Sequence, residues 1–235
     1  ADYTYTGSGS FEGVGMAISA GDIDNDGLAD VFVGAPYDGA SSATYGSGAV
    51  AILLSGDGVL ADQSEIWDAW NTVDGLSSSS GLGASLSYLD ADFSGSNSSA
   101  VGSLAIGAPG DNSKGGAIYV VTGDDLGSWG DVGDASLIIK GSTGSGYYVG
   151  RDIVQDVDLN GDGQDDLLFG YVSAQLSSTY YNASYSRIGL EYGGAVGTVN
   201  VSNVDARWHT NTLVEFRTSY YAWDDNPVAN SMSEA

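Results

Sequence analysis

The chain has 235 residues, 42% hydrophobic and 11% aromatic, which is enough to bury the core of one large or two small domains and too much for a disordered acidic tail. Twenty-six Asp and five Glu against two Lys and four Arg leave a net charge of −25, which repels nucleic acid and anionic lipid and leaves no basic patch for either. With no cysteine and no apolar run near the roughly 18 residues of a membrane span, disulfides, thiol chemistry and membrane insertion are excluded as organising features.

Thirty-six glycines against three prolines, with abundant Ser, Tyr and Val, favour short strands and tight turns, and no window carries a helical apolar stripe with caps. The expected class is all-β. The opening YTYTGSG (3–9) reads as an outer strand of a preceding unit. GVGMAISAGDIDNDGLADVFVGAP (13–36) then predicts a strand, an acidic loop and a second strand, followed by a third strand in GSGAVAIL (46–53) and an outer one in EIWDAWNTVDG (65–75).

The same order returns in GLGASLSYLDADFSGSNSSAVGSLAIGAP (81–109), KGGAIYVV (114–121) and SLIIKGSTG (136–144). It returns again in YVGRDIVQDVDLNGDGQDDLLFGYV (148–172), YGGAVGTV (192–199) and NTLVEFRTS (211–219). Asp22, Asp90 and Asp158 open the acidic loops at two equal steps; Gly48 and Gly116 keep that step, and Gly194 falls ten later because SAQLSSTYYNASYSR (173–187) reads as an enlarged loop. A four-stranded antiparallel unit recurring at a fixed period of this kind is the pattern of a β-propeller blade. The predicted organisation is an outer strand at 3–9, repeats at about 10–75, 76–143 and 144–219, and a non-repeat tail at 220–235. Three blades do not close a ring. The missing blades are expected from residues outside this chain, from another copy or from a partner, and the open edges predict self-association or blade complementation by other protein chains.

In the first loop Asp22, Asp24, Asp26 and Asp30 take positions 1, 3, 5 and 9, Gly27 takes position 6, and the Leu28 carbonyl is available at position 7. Odd spacing turns alternate carboxylates inward, glycine permits the sharp turn, and the resulting hard oxygen cage suits Ca2+. The third loop repeats the arrangement with Asp158, Asn160, Asp162, the Gln164 carbonyl and Asp166. The second keeps Asp90 and Asp92 but has Ser94 at position 5, with five extra residues before the next strand, and reads as a weak or lost site. An EF-hand would place Glu at position 12 and a helix after it; Val33 and Phe169 stand there instead, in short apolar runs.

These loops, the VGAP and IGAP ends at 33–36 and 106–109, and the Gly-Ala strand starts at 48–50 and 116–118 resemble the FG-GAP repeats of the integrin alpha-subunit β-propeller and its bacterial and archaeal relatives. The resemblance spans roughly residues 3–201. It implies calcium held in hairpin loops on one face of a propeller, in proteins that work outside the cell in adhesion or assembly. It departs from the pattern in the third unit, where GYV (170–172) replaces Gly-Ala-Pro.

No catalytic residues are assigned: the single histidine, His209, lies outside the matching motifs, and no nucleophile elbow is present. The function expected is a calcium-binding extracellular or cell-surface module for assembly or attachment. The alternatives are an architectural subunit of a filament, surface layer or virion, and a propeller-scaffold polysaccharide hydrolase or lyase. Aromatic clusters such as TYYNASYSR leave surface glycans open as partners, and sequons stand at Asn97, Asn182 and Asn200.

Overall fold

The computed structural model describes residues 4–40, 45–55, 65–68, 71–95, 102–125, 130–143, 146–154, 157–174, 183–209 and 214–215. Short apolar runs set between glycine turns form three successive antiparallel sheets. The first is the meander β1 (Ala17–Gly21), β2 (Asp30–Ala35), β3 (Ala49–Leu53) and β4 (Asn71–Asp74). The second runs β5 (Ser85–Leu89), β6 (Ser103–Ala108), β7 (Ala117–Thr122) and β8 (Leu137–Lys140). β9 (Asp152–Val154), β10 (Leu167–Ala174) and β11 (Ala183–Glu191) begin the third. Among the described residues there is no α-helix longer than a single turn, and that turn, Asp111–Lys114, has left-handed backbone at Asn112, Ser113 and Lys114 (φ 49, 56 and 70). The chain is therefore all-β, with propeller-like blades that are not closed into a barrel.

The blades stack face to face. Phe32, Val50, Ile52 and Val73 of the first meet Leu82, Leu86, Leu104, Ile106 and Tyr119 of the second in one core. Ala105, Ile118, Val120 and Ile139 of the second meet Ile153, Leu167, Phe169 and Tyr171 of the third in another. The middle strands are buried on both faces, which is why LAIGA and AIYVV read as nearly unbroken apolar runs instead of alternating ones.

Glycine makes this stacking possible. A Cβ on Gly34 would lie 2.1 Å from the carbonyl oxygen of Gly83, and one on Gly107 would lie 1.9 Å from that of Gly150. Gly48 and Gly116 form parallel bridges to Leu82 and Val149 of the following blade. The glycines of the repeat thus mark where one blade's backbone touches the next.

The third unit corrects three expectations. Its third strand is β11, which folds directly back on β10 from Leu167↔Glu191 to Ala174↔Ser184, so both ends of 173–187 are strand; residues 175–182 lie outside the described residues. YGGAVGTV does not supply that strand. It turns away into β12 (Gly197–Asn200), which adds in parallel to the outer strand of the second sheet, Gly197↔Leu137 through Asn200↔Lys140. Burial of Val201 and Val204, with Val199 packed against the same core, holds the excursion there. The outer strand on β11 is β13 (Ala206–His209), and of 211–219 only β14 (Val214–Glu215) is described, pairing with β11 as well. Position 209, the lone histidine, ends β13 opposite Arg187. The tail 220–235 and the sequons at Asn97 and Asn182 lie outside the described residues.

Half-buried carboxylates add a pH dependence. Burial, and for Asp38 the nearby Glu12 charge, raise the Asp38 and Asp152 carboxyls above the ordinary carboxylate value. A raised folded value means that the native state holds the proton longer than the unfolded chain, so this contribution falls as pH rises through the window above the ordinary value. In chelator at low salt, the urea midpoint is expected to be higher at about pH 5 than at about pH 7. Asp38→Asn and Asp152→Asn should each flatten that slope.

Candidate metal centre

The first acidic loop joins β1 to β2, an antiparallel pair in register from Ala17↔Gly34 to Gly21↔Asp30. Left-handed backbone at Asn25 (φ 59) and Gly27 (φ 90) bends it sharply. The carboxylates then accept from the loop's own backbone. Asp22 takes the amides of Asp26 (Oδ1, 3.0 Å) and Gly27 (Oδ2, 2.9 Å), Asp24 that of Asp26 (3.1 Å), and Asp26 that of Leu28 (2.7 Å).

Asp30 anchors the base of the loop. It is fully buried, and its two oxygens accept from Ile23 N (3.0 Å) and from Ser55 N just beyond β3 (2.9 Å). Burial raises its carboxyl above the ordinary value, the two amides oppose that, and the charges of Asp24 and Asp26 push it further up.

Oxygens of Asp22, Asp24 and Asp30 lie within 4.8 Å of one another. Two oxygens on opposite sides of one ion at the usual calcium–oxygen distance would be separated by about 4.6–5.2 Å, so these three carboxylates fit a single cation of that size. Asp26 stands outside that cluster, and the Leu28 side chain is exposed.

The third loop, between β9 and β10, reproduces the network two repeats further along the chain. Asp158 accepts from Gly161 (2.7 Å), Asp162 (3.2 Å) and Gly163 (2.9 Å), Asn160 from Asp162 (2.8 Å), and Asp162 from Gln164 (2.9 Å). Asp166, buried like Asp30, accepts from Leu159 (2.8 Å) and Gly193 (3.2 Å). Gly163 has φ 87, matching Gly27. Asn160 replaces one carboxylate among the matching positions, while Asp165 leaves the loop as a whole with four aspartates, as in the first.

The second loop differs. Asp92 accepts from Ser94 N (2.7 Å), while Asp90 N donates to the Asp165 carboxylate of the third loop (2.8 Å) and Asp165 N donates back to Asp90 O (3.2 Å). Its backbone is braced by the neighbouring loop.

Two residues of this region escaped the sequence reading. Asp165 was hidden inside the acidic run QDD. Tyr88 on β5 stacks near Phe32 (centroids 6.4 Å) and donates its hydroxyl to the Asp22 carbonyl (2.9 Å), tying the first loop to the second blade. Burial first, and then the surrounding aspartates, push its phenol up to about 12, so it stays a donor at any ordinary pH. Tyr88→Phe is expected to lower stability by about 1 kcal/mol, read from the urea midpoint at unchanged slope.

The FG-GAP repeat family model matches residues 14–53, the span from the turn before β1 to the end of β3 with the first acidic loop at its centre. The match covers the first unit alone, and the two later sheets repeat its strand order without being covered by it. No curated protein matches the chain. Among the described residues no helix is long and apolar enough to cross a membrane.

Proposed function

We propose that the chain is a calcium-binding structural module of an extracellular surface, using blade-like repeats to assemble with other proteins or to attach to a surface. The observation that carries this reading is the shared loop network. Two loops, in the first and third units, aim backbone amides at the side chains of the same loop positions, and in the first of them three carboxylates converge within 4.8 Å. Asp22, Asp24, Asp26, Asp30 and the Leu28 carbonyl would hold one ion; Asp158, Asn160, Asp162, Asp166 and the Gln164 carbonyl would hold a second. An ion in such a loop cancels repulsion between carboxylates that the fold forces together, and calcium at extracellular concentrations fills sites of modest affinity.

Calorimetric titration of chelator-stripped protein tests this. Two calcium ions per chain are expected, one lost in Asp22→Asn and the other in Asp158→Asn. Absence of binding at millimolar calcium, or binding untouched by both substitutions, would sink the proposal.

A further inference from the structure

A chain with 31 acidic residues and a net charge of −25 nevertheless brings two of its four arginines together on the third sheet. A cavity of about 540 Å³ is lined by Arg187 of β11, by Val204 and Asp205, and by Ala206, Arg207 and Trp208 of β13. Arg187 pairs with position 209 and Arg207 with Gly189. Opposed residues of an antiparallel pair share a face, as do residues two apart on one strand, so the two arginines are diagonal neighbours on the same face. That face is turned to the second sheet. Phe169 and Tyr171, opposite Gly189 and Arg187 on β10, are buried in the core between the two sheets, and Val204 of the cavity wall belongs to that core as well. The cavity therefore adjoins the seam between two blades of this chain.

A second observation points to the same place. Arg187 Nε and the hydroxyl of Tyr171, on residues directly opposite each other, are buried and have no hydrogen-bond partner among the described residues. Leaving a buried donor unmade is costly, most of all on a charged group. The guanidinium can only donate and the phenol donates readily, so an acceptor satisfies both, and beside a fixed cation the best acceptor is an anionic oxygen. A carboxylate presents two such oxygens in one plane, matching Nε and a terminal nitrogen of the guanidinium. The one acid in the cavity wall does not fill this role: Asp205 accepts from Tyr192 N through Oδ2 (3.0 Å).

We propose that this cavity binds the carboxylate of a uronic acid unit in a glycan. Arg187 Nε and the Tyr171 hydroxyl donate to the carboxylate, and Arg207 supplies a second positive charge on the same face. The cavity is of the size that takes a small organic ligand, far more than an inorganic ion fills. Trp208, half exposed at its border, offers an apolar ring edge to a sugar, and Asp205 offers an acceptor to its hydroxyls. A densely acidic peptide fits less well, because the field of a chain at −25 opposes its approach. The inference gives a ligand to the surface attachment proposed above and rests on that part of the reading, but it does not depend on calcium in the loops.

Calorimetric titration of the full chain with a glucuronate-containing tetrasaccharide tests this, with the methyl ester of the same sugar and sodium acetate as comparisons at fixed ionic strength. Binding with a Kd of about 1 mM or tighter is expected, weakened about tenfold or more by esterification, with acetate binding far more weakly than the sugar. Arg187→Lys keeps the charge but removes the buried Nε, and should weaken binding about tenfold. Tyr171→Phe should also weaken it, and without lowering the urea midpoint, since it deletes a buried hydroxyl that has no partner among the described residues. Lys114→Gln, exposed on the loop between β6 and β7, should bind as the parent does. The same affinity is expected in calcium and in chelator, so failure of the calcium reading and failure of this one are seen separately. No binding at about 10 mM sugar, equal binding of the ester, or binding untouched by both Arg187→Lys and Tyr171→Phe overturns the proposal. So does acetate binding as tightly as the tetrasaccharide, which would make the site one for a free ion, or an aspartate-rich peptide binding more tightly than the sugar.

Discussion

Stripping divalent cations at fixed ionic strength is expected to lower the melting temperature substantially, and returning calcium to restore it. Asp22, Asp24 and Asp30 converge within 4.8 Å in a chain of net charge −25, so without an ion their repulsion is offset only by the amides that they accept. A ligand held by the native state alone stabilises it by about 4 kcal/mol when its concentration is a thousandfold above Kd. For a chain of this length that is roughly 8–16 °C per filled site. Sodium chloride at matched ionic strength screens surface charge but should not reproduce the shift, because close, partly buried pairs are screened far less than exposed ones. Within the loop, Asp24→Asn should remove the first site's share of the calcium response, leaving that of the third loop, with little effect on the stripped protein. Asp30→Asn should weaken both, since Asp30 also joins the start of the loop at Ile23 to the end of β3 at Ser55. A melt indifferent to chelator would overturn the calcium reading and leave the loops as hydrogen-bonded turns.

What could be read in advance follows a physical division. The even period of the repeat, the strand positions in the first two units and the all-β class were legible because each rests on local sequence: short apolar runs, glycines at turns and odd-spaced aspartates. The first loop was legible for the same reason, as its network runs almost wholly between near neighbours in the chain, from Asp26 N to Asp24 up to Ile23 N to Asp30. The third unit was not. Its 192–199 segment starts with the same Gly-Gly-Ala letters as a third strand, and whether it pairs with β10 or crosses to β8 depends on competition between two distant edges. SYSRIGLE, nearly the whole of β11, takes the first edge, and burial of Val201 and Val204 favours the second for β12. Tyr88 was missed for a related reason: its contacts to Ser19 and Asp22 lie 69 and 66 residues away.

The glycines at the seams provide the sharper test of how the blades cohere. Gly107→Ala is expected to cost about 3 kcal/mol or more, a fall of roughly 6–12 °C, because the new methyl would sit 1.9 Å from the Gly150 carbonyl oxygen and 2.2 Å from Ser85 Oγ. Neither the second nor the third sheet can yield there without opening the core of Ile118, Phe169 and Tyr171 behind the seam. Gly34→Ala should behave alike against the Gly83 carbonyl oxygen at 2.1 Å. Neither glycine has left-handed backbone, so the whole effect is steric. Gly15→Ala separates the two causes. It meets nothing within 4 Å but sits at φ 82, and should cost only the roughly 1–2 kcal/mol of left-handed strain. Gly130→Ala, with open space and no such strain, should be near neutral. A prised seam should also reduce cooperativity: in Gly107→Ala the third sheet is expected to lose hydrogen-exchange protection before the first two, whereas the parent chain opens them together. Equal losses in Gly107→Ala and Gly130→Ala would mean that the blades are not held by backbone contact at these glycines.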